Sequence, residues 1–212
     1  MTRSQIVEVR RVRGEIVHGE FLPTDENKTR LFFAPTARSL KRGEGYFGVY
    51  EVFLPFVQVG ITDRVSIGGG TPLYFGTGFH PFWFTPKVQV LNRRNQQISL
   101  GVIQILGTGI DHNAGIAYGV TTLGNFDTAV TVGLGYAYSG RSTAPIVMIG
   151  GEYRQSRHVK WITENWIWHG GDGFVSGGIR FLGERLSADV GVVAPLIEDA
   201  PPFPIVNFVW KF

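Results

Sequence analysis

Bulky apolar residues alternate with small or polar ones along most of the chain. This period-two pattern, with no long amphipathic helix beside it, predicts strands. In 127–138, Thr128, Val130, Val132, Leu134, Tyr136 and Tyr138 share one face, and Ala129, Thr131, Gly133, Gly135 and Ala137 the other. In 113–122, Ala114, Ile116, Tyr118 and Val120 oppose Gly115, Ala117, Gly119 and Thr121. In 185–195, Leu186, Ala188, Val190, Val192 and Ala194 oppose Ser187, Asp189 and Gly191. The pattern predicts twelve strands, near 29–37, 46–60, 64–75, 82–92, 96–107, 113–122, 127–138, 144–154, 158–168, 172–182, 185–195 and 203–212.

The connections between these strands alternate in kind. Five are tight and carry Gly, Asn or Asp for turn dihedrals: 61–64, 92–95, 123–127, 155–158 and 182–185. Six are looser: 38–45, 76–81, 108–112, 139–143, 169–171 and 196–202. Short turns on one rim and longer loops on the other are the plan of an up-and-down antiparallel transmembrane β-barrel, with both termini on the short-turn rim. The expected closure joins 203–212 to 29–37.

The faces say which side meets which solvent. The bulky face is apolar and the small-residue face is the polar one, as in a barrel with lipid outside. A soluble β-barrel or sandwich that encloses an apolar ligand stays open as an alternative, because alternation does not distinguish inside from outside. Tyr46, Tyr74, Trp83, Tyr136, Tyr138, Tyr153, Trp161, Trp166, Trp168 and Trp210 fall mostly near strand ends, where a membrane barrel has its aromatic girdles. The last strand fits the same plan: Phe208, Trp210 and the terminal Phe212 share one face.

Composition adds constraints. Only 17% of residues are charged, and there are 29 Gly and 16 Phe, which suits a β protein with close backbone approaches. No apolar run reaches the roughly 20 residues of a membrane helix. Net charge is +3, with no basic and aromatic cluster dense enough for nucleic acid. Cys is absent, which excludes disulfides and thiolate chemistry. Residues 1–14 lack the apolar stretch of a signal peptide, so the expectation is a mature or truncated form of an exported chain.

Residues 1–28 are more highly charged and read as a periplasmic arm, or the remnant of a small β domain that could also fold inwards as a plug. Residues 29–212 read as the barrel. The small-residue faces carry the charges expected to line the lumen: Glu51, Lys87, Glu152, Arg154, Glu164, Arg180, Asp189 and Lys211, with Gln89 beside them. Acids and bases on facing walls should pair across it, because unmatched Lys or Arg in lipid costs about 2–4 kcal/mol near the midplane.

No catalytic set emerges. His18, His80, His112, His158 and His169 have no metal-ligand spacing. His112 beside Asp111 and His169 near Asp172 are the nearest approach to proton-transfer chemistry, so a membrane-barrel hydrolase ranks third among functions. No cofactor is expected. Gly68-Gly69-Gly70 lacks the context of a phosphate loop and suits strand curvature.

Four stretches carry a resemblance: 30–47 (RLFFAPTARSLKRGEGYF), 60–70 (GITDRVSIGGG), 150–154 (GGEYR) and 180–189 (RFLGERLSAD). Together they resemble a family of bacterial outer-membrane-type β-barrels of no assigned function, over about 29–212. The resemblance implies an exported barrel, and longer members carry a signal peptide and a small upstream β domain. The chain end also resembles the outer-membrane insertion signal at Phe208, Trp210 and Phe212, with Asn207 where that signal usually has Gly. The resulting expectation is a barrel in the bacterial outer membrane, acting as a narrow passive pore or a structural barrel. Its partners would be the lipid bilayer, the outer-membrane assembly machinery and small polar solutes.

Overall fold

The computed structural model describes residues 14–17, 20–73, 80–108, 114–168 and 170–212. Tyr74, His18, Asp111, His112 and His169 lie outside the described residues. Two short strands, β1 (Gly14–Val17) and β2 (Glu20–Pro23), form a hairpin of their own. A segment without regular strands follows, and the main sheet begins at Gly45.

That sheet contains β3 (Gly45–Tyr50), β4 (Leu54–Gly60), β5 (Val65–Gly70), β6 (His80–Phe84), β7 (Lys87–Arg93), β8 (Gln96–Thr108) and β9 (Ala114–Gly124). It continues through β10 (Thr128–Ser139), β11 (Ser142–Ser156), β12 (Val159–Trp168), β13 (Gly173–Leu182), β14 (Leu186–Pro195) and β15 (Phe203–Lys211). All pairings are antiparallel between neighbours, and β15 pairs with β3 to close the ring. β6 and β7 share one position in the wall, each pairing with both β5 and β8. Pro86, which has no N–H to give, sits at the break between them. Thirteen strands therefore make a closed barrel of twelve wall positions.

Three expectations need correction. Residues 29–37 are not a wall strand, and β15 closes on β3, with Asn207 opposite Tyr50 and Lys211 opposite Tyr46. The stretch 46–60 is two strands, not one. Glu51 and Val52 turn the chain with φ of 48° and 66°. A β-branched residue is strained there, so turn-forming residue types gave no cue. The connection 139–143 is a tight turn in which Ser139 pairs with Ser142. The count of twelve survives because one strand is lost and one is gained.

The five tight turns lie on one rim, as the alternation of strand directions requires, together with the start of β3 and the end of β15. The outer surface is apolar. Leu134, Tyr136, Tyr153, Trp161, Phe208 and Trp210 all point outward and are exposed. Among the described residues, every charged side chain in a wall strand shares the buried face except Arg93, which stands at a turn. β9 reverses the expected sidedness: buried Val120 and Thr122 put the bulky Ile116 and Tyr118 inside, with Ala117 and Gly119 outside. Tyr46, Trp83 and Trp166 also face inwards, packed in the core rather than in a girdle.

Phe212 lies outside the end of β15 against Gly45. A Cβ added at Gly45 would come within 2.6 Å of its ring, so glycine there lets the chain end seat on the first wall strand.

Candidate functional site: the lumen and the segment inside it

Residues 24–40 occupy the interior of the barrel, and residues 41–43 emerge exposed at the turn rim, where Arg42 N donates to Asp63 Oδ1 at 3.0 Å. The middle of this segment folds back on itself: Leu31 N donates to Ala34 O at 2.9 Å, Thr36 N donates to Thr29 O at 2.9 Å, and Arg30 bridges Pro35. Its tip is apolar. Leu31, Phe32 and Ala34 are fully buried against Val120, Met148, Ile162, Val193 and Ile205 of the inner wall. The middle of the lumen is thus filled with hydrocarbon, where the sequence suggested a polar space.

The backbone of this segment is short of strand partners, and wall side chains supply them. Lys87 Nζ donates to the carbonyls of Thr29, Thr36 and Arg38 at 3.3, 2.9 and 2.7 Å. Glu164 Oε2 accepts from the amides of Phe33 and Ala34, both at 2.9 Å, while its Oε1 accepts from the Trp166 indole at 2.7 Å. Gln89 and Ser99 donate to Ala37 O, and Thr122 Oγ1 accepts from Ala37 N. Arg180 donates to Leu31 O at 2.6 Å. These bonds explain why an apolar run with strand-like alternation leaves the sheet: its polar groups are satisfied without a ladder.

Charge fixes both ends of the segment. Six charges alternate in sign from one end to the other. Arg38 pairs with Glu152, and Lys160 lies 2.9 Å from both Glu152 and Asp25. Arg180 then lies 3.1 Å from Asp25 and 2.7 Å from Asp189. Arg38 and Asp25 belong to the inner segment; the other four belong to the wall strands β11 to β14. Asn27 Nδ2 adds a bond to Asp189 at 3.3 Å. Burial alone would push the Asp25 carboxyl up, but Arg180 and Lys160 outweigh it and hold it well below the carboxylate range. Its contribution to docking is therefore present above the unfolded carboxylate pKa and is lost only as pH falls through its much lower folded value. Near the turn rim Lys211 pairs with Glu26, and Lys28 lies 3.6 Å from Glu44.

The remaining charged candidates sit apart from this network. Arg154 lies at the turn rim, where it binds Asp127 at 2.5 Å and donates to Pro23 O at 3.1 Å. Glu51 is in the β3–β4 turn, and its Oε1 accepts from Val206 N at 3.4 Å. The cross-lumen pairs expected between facing walls do not form: the wall pairs are between adjacent strands, and the rest reach the inner segment. Lys160, Asp25 and Arg38 escaped the sequence reading. Lys160 was findable, since period two from Glu164 through Ile162 puts it on the same face. Asp25 and Arg38 carried no local signal.

Among the described residues no cluster of three or more His, Cys, Asp or Glu is placed to hold a metal ion. No family model and no curated protein matches the chain. Solved structures do match. A KdgM porin superposes with a TM-score of 0.62 at 8% identity, covering 80% of this chain and 98% of that one. A KdgM porin in complex with disordered oligogalacturonate gives 0.63 at 8% identity, with the same coverage. The chain has the fold of these porins, a closed twelve-stranded antiparallel barrel.

Proposed function

We propose that the protein is an outer-membrane barrel whose lumen is kept closed by its own residues 24–44, a porin-like passage of low conductance for small polar solutes. The carrying observation is the binding of this inner segment by wall side chains from Lys87 round to Arg180. The outer face is largely apolar, with uncharged polar residues such as Thr163 and Asn165 on β12, and this supports the membrane setting. The short-turn rim is then periplasmic, and the β1–β2 hairpin forms the periplasmic arm. The wall charges Lys87, Glu152, Glu164, Arg180, Asp189 and Lys211 hold the closed state, while Arg154 and Glu51 belong to the two rims. One of the matching KdgM structures is a complex with oligogalacturonate; here the inner segment fills the middle of the lumen, which favours small solutes.

Planar-bilayer recording of the full chain tests this reading. Small, intermittent conductance is expected. A large and steady conductance would show that residues 24–44 do not close the lumen.

The outward Phe208, Trp210 and Phe212 are proposed as the assembly signal. Deleting Phe212, or changing it to Asp, removes the ring that seats on Gly45 and places charge on the lipid face. Both variants should accumulate unassembled in cells, read as loss of the heat-modifiable folded band. Normal assembly of both would remove the signal from the proposal.

A further inference from the structure

Charge is matched on one side of the lumen and unmatched on the other. Lys28, Arg38, Arg154, Lys160, Arg180 and Lys211 each lie within ion-pair distance of a carboxylate. Two further cations inside the barrel, Arg30 and Lys87, pair with no carboxylate among the described residues. The charges acting on Lys87 are those of Arg30 and Arg38, both of its own sign. Uncompensated charge withdrawn from water is costly, so two such cations side by side call for an anion.

Arg30 and Lys87 line the same cavity, of about 40 Å³, and no acidic residue lines it. By the usual allowance of roughly 10–15 Å³ per water, it has room for about three waters or one small ion. The donors are in place. Arg30 uses Nε and Nη2 on the Tyr46 hydroxyl at 3.0 and 2.7 Å and Nη2 on Gln58 Oε1 at 3.3 Å, which leaves Nη1 with no acceptor among the described residues. The guanidinium is held in position over the Phe56 ring, 4.2 Å from its centroid. The Tyr118 hydroxyl, also in the lining, makes no hydrogen bond among the described residues. Lys87 spends its three protons on backbone carbonyls and supplies field rather than a bond.

We propose that this cavity binds one small monovalent anion, of the size of chloride or formate, held by Arg30 Nη1 and the Tyr118 hydroxyl in the field of Lys87. The site stands independently of the passage reading, since a closed barrel can hold an ion, and its test does not use conductance.

The heat-unfolding midpoint of the full chain, folded in detergent, is measured at constant ionic strength in sodium chloride, sodium formate and sodium gluconate, whose anion is too large to enter. Chloride or formate should raise the midpoint by a few degrees over gluconate, with saturation. A rise with formate alone assigns a carboxylate-shaped site; a rise with chloride alone assigns a spherical one. The rise should vanish in Arg30→Gln and persist in the exposed control Arg42→Gln. Equal midpoints in all three salts overturn the proposal, as does a rise that survives Arg30→Gln. Should Arg30→Gln fail to assemble, Tyr118→Phe, which removes only a hydroxyl, takes its place. A several-fold weaker apparent affinity then supports the site, and an unchanged one overturns it.

Discussion

Deleting residues 1–44 should turn a nearly silent barrel into a conducting one. The sheet begins at Gly45, so the deletion leaves the β15–β3 closure intact and takes from the wall only the two backbone bonds that Gly43 and Glu44 make to Gly60 at the end of β4. It removes the apolar tip and two of the six charges of the network, Arg38 and Asp25. Twelve strands enclose a wider space than eight, in which side chains just fill the interior, so conductance should rise on the order of tenfold or more. The bared inner faces carry Lys87, Lys160, Arg180 and Lys211 against Glu152, Glu164 and Asp189, four cations to three anions. A mild preference for anions should accompany the opening. Bilayer recording of the deleted and full-length chains decides it, and equal conductance in the two would mean that the inner segment does not close the passage.

Arg180→Met should be the most damaging single substitution in the lumen. The guanidinium is fully buried and binds Asp25, Asp189 and the carbonyls of Asn27, Arg30 and Leu31. Methionine keeps much of the volume and leaves two carboxylates without their shared partner. Breaking a buried pair in this way costs about 3–5 kcal/mol. The loss should appear as a lower heat-unfolding midpoint and as easier proteolysis of residues 24–44 from the short-turn rim. Adding Asp189→Asn should restore part of the stability, because one orphaned charge is removed. Arg154→Ala is the contrast. Its partner Asp127 is 37% exposed at the rim, and such pairs are worth about 0–1 kcal/mol. Equal losses in Arg180→Met and Arg154→Ala would show that the buried network is not what docks the segment.

The wall was legible because it obeys one local rule. Period two and turn residues in 127–138, 158–168 and 185–195 depend only on neighbours in sequence, and they yield twelve strands with five tight turns on one rim, while the tight 139–143 turn on the other rim reads as a looser loop. The inner segment was illegible for the opposite reason. Leu31, Phe32 and Phe33 followed by Pro35 form an apolar run that would also suit an edge strand. What takes it out of the sheet is a set of side chains from Lys87 to Asn207, far away in sequence. The Glu51–Val52 turn was hidden because its residue types are poor at positive φ, and the energy to hold them there comes from the flanking strands. In β9 the usual division failed: Ile116 and Tyr118 are bulky yet inward, because the lumen there meets Pro35 and the apolar tip instead of water. The charged residues of the lumen could be picked out as polar breaks in small-residue faces. Their partners could not, since Asp25 and Arg38 lie in a stretch with no periodic face.

The divided wall position has its own consequence. β5 pairs with β6 at only two residues, Gly69 and Gly70, and with β7 at only two, Val65 and Ser66. The β15–β3 and β4–β5 ladders hold five pairs each, and the β10–β11 ladder holds twelve. Three consecutive glycines, Gly68 to Gly70, contribute no side chains to brace this line, and Pro86 withholds a donor from it. A cylinder under lateral pressure from the bilayer yields where its stitching is shortest. This line of the wall is therefore the soft axis of the barrel, along which it would flatten or split before any other seam moved.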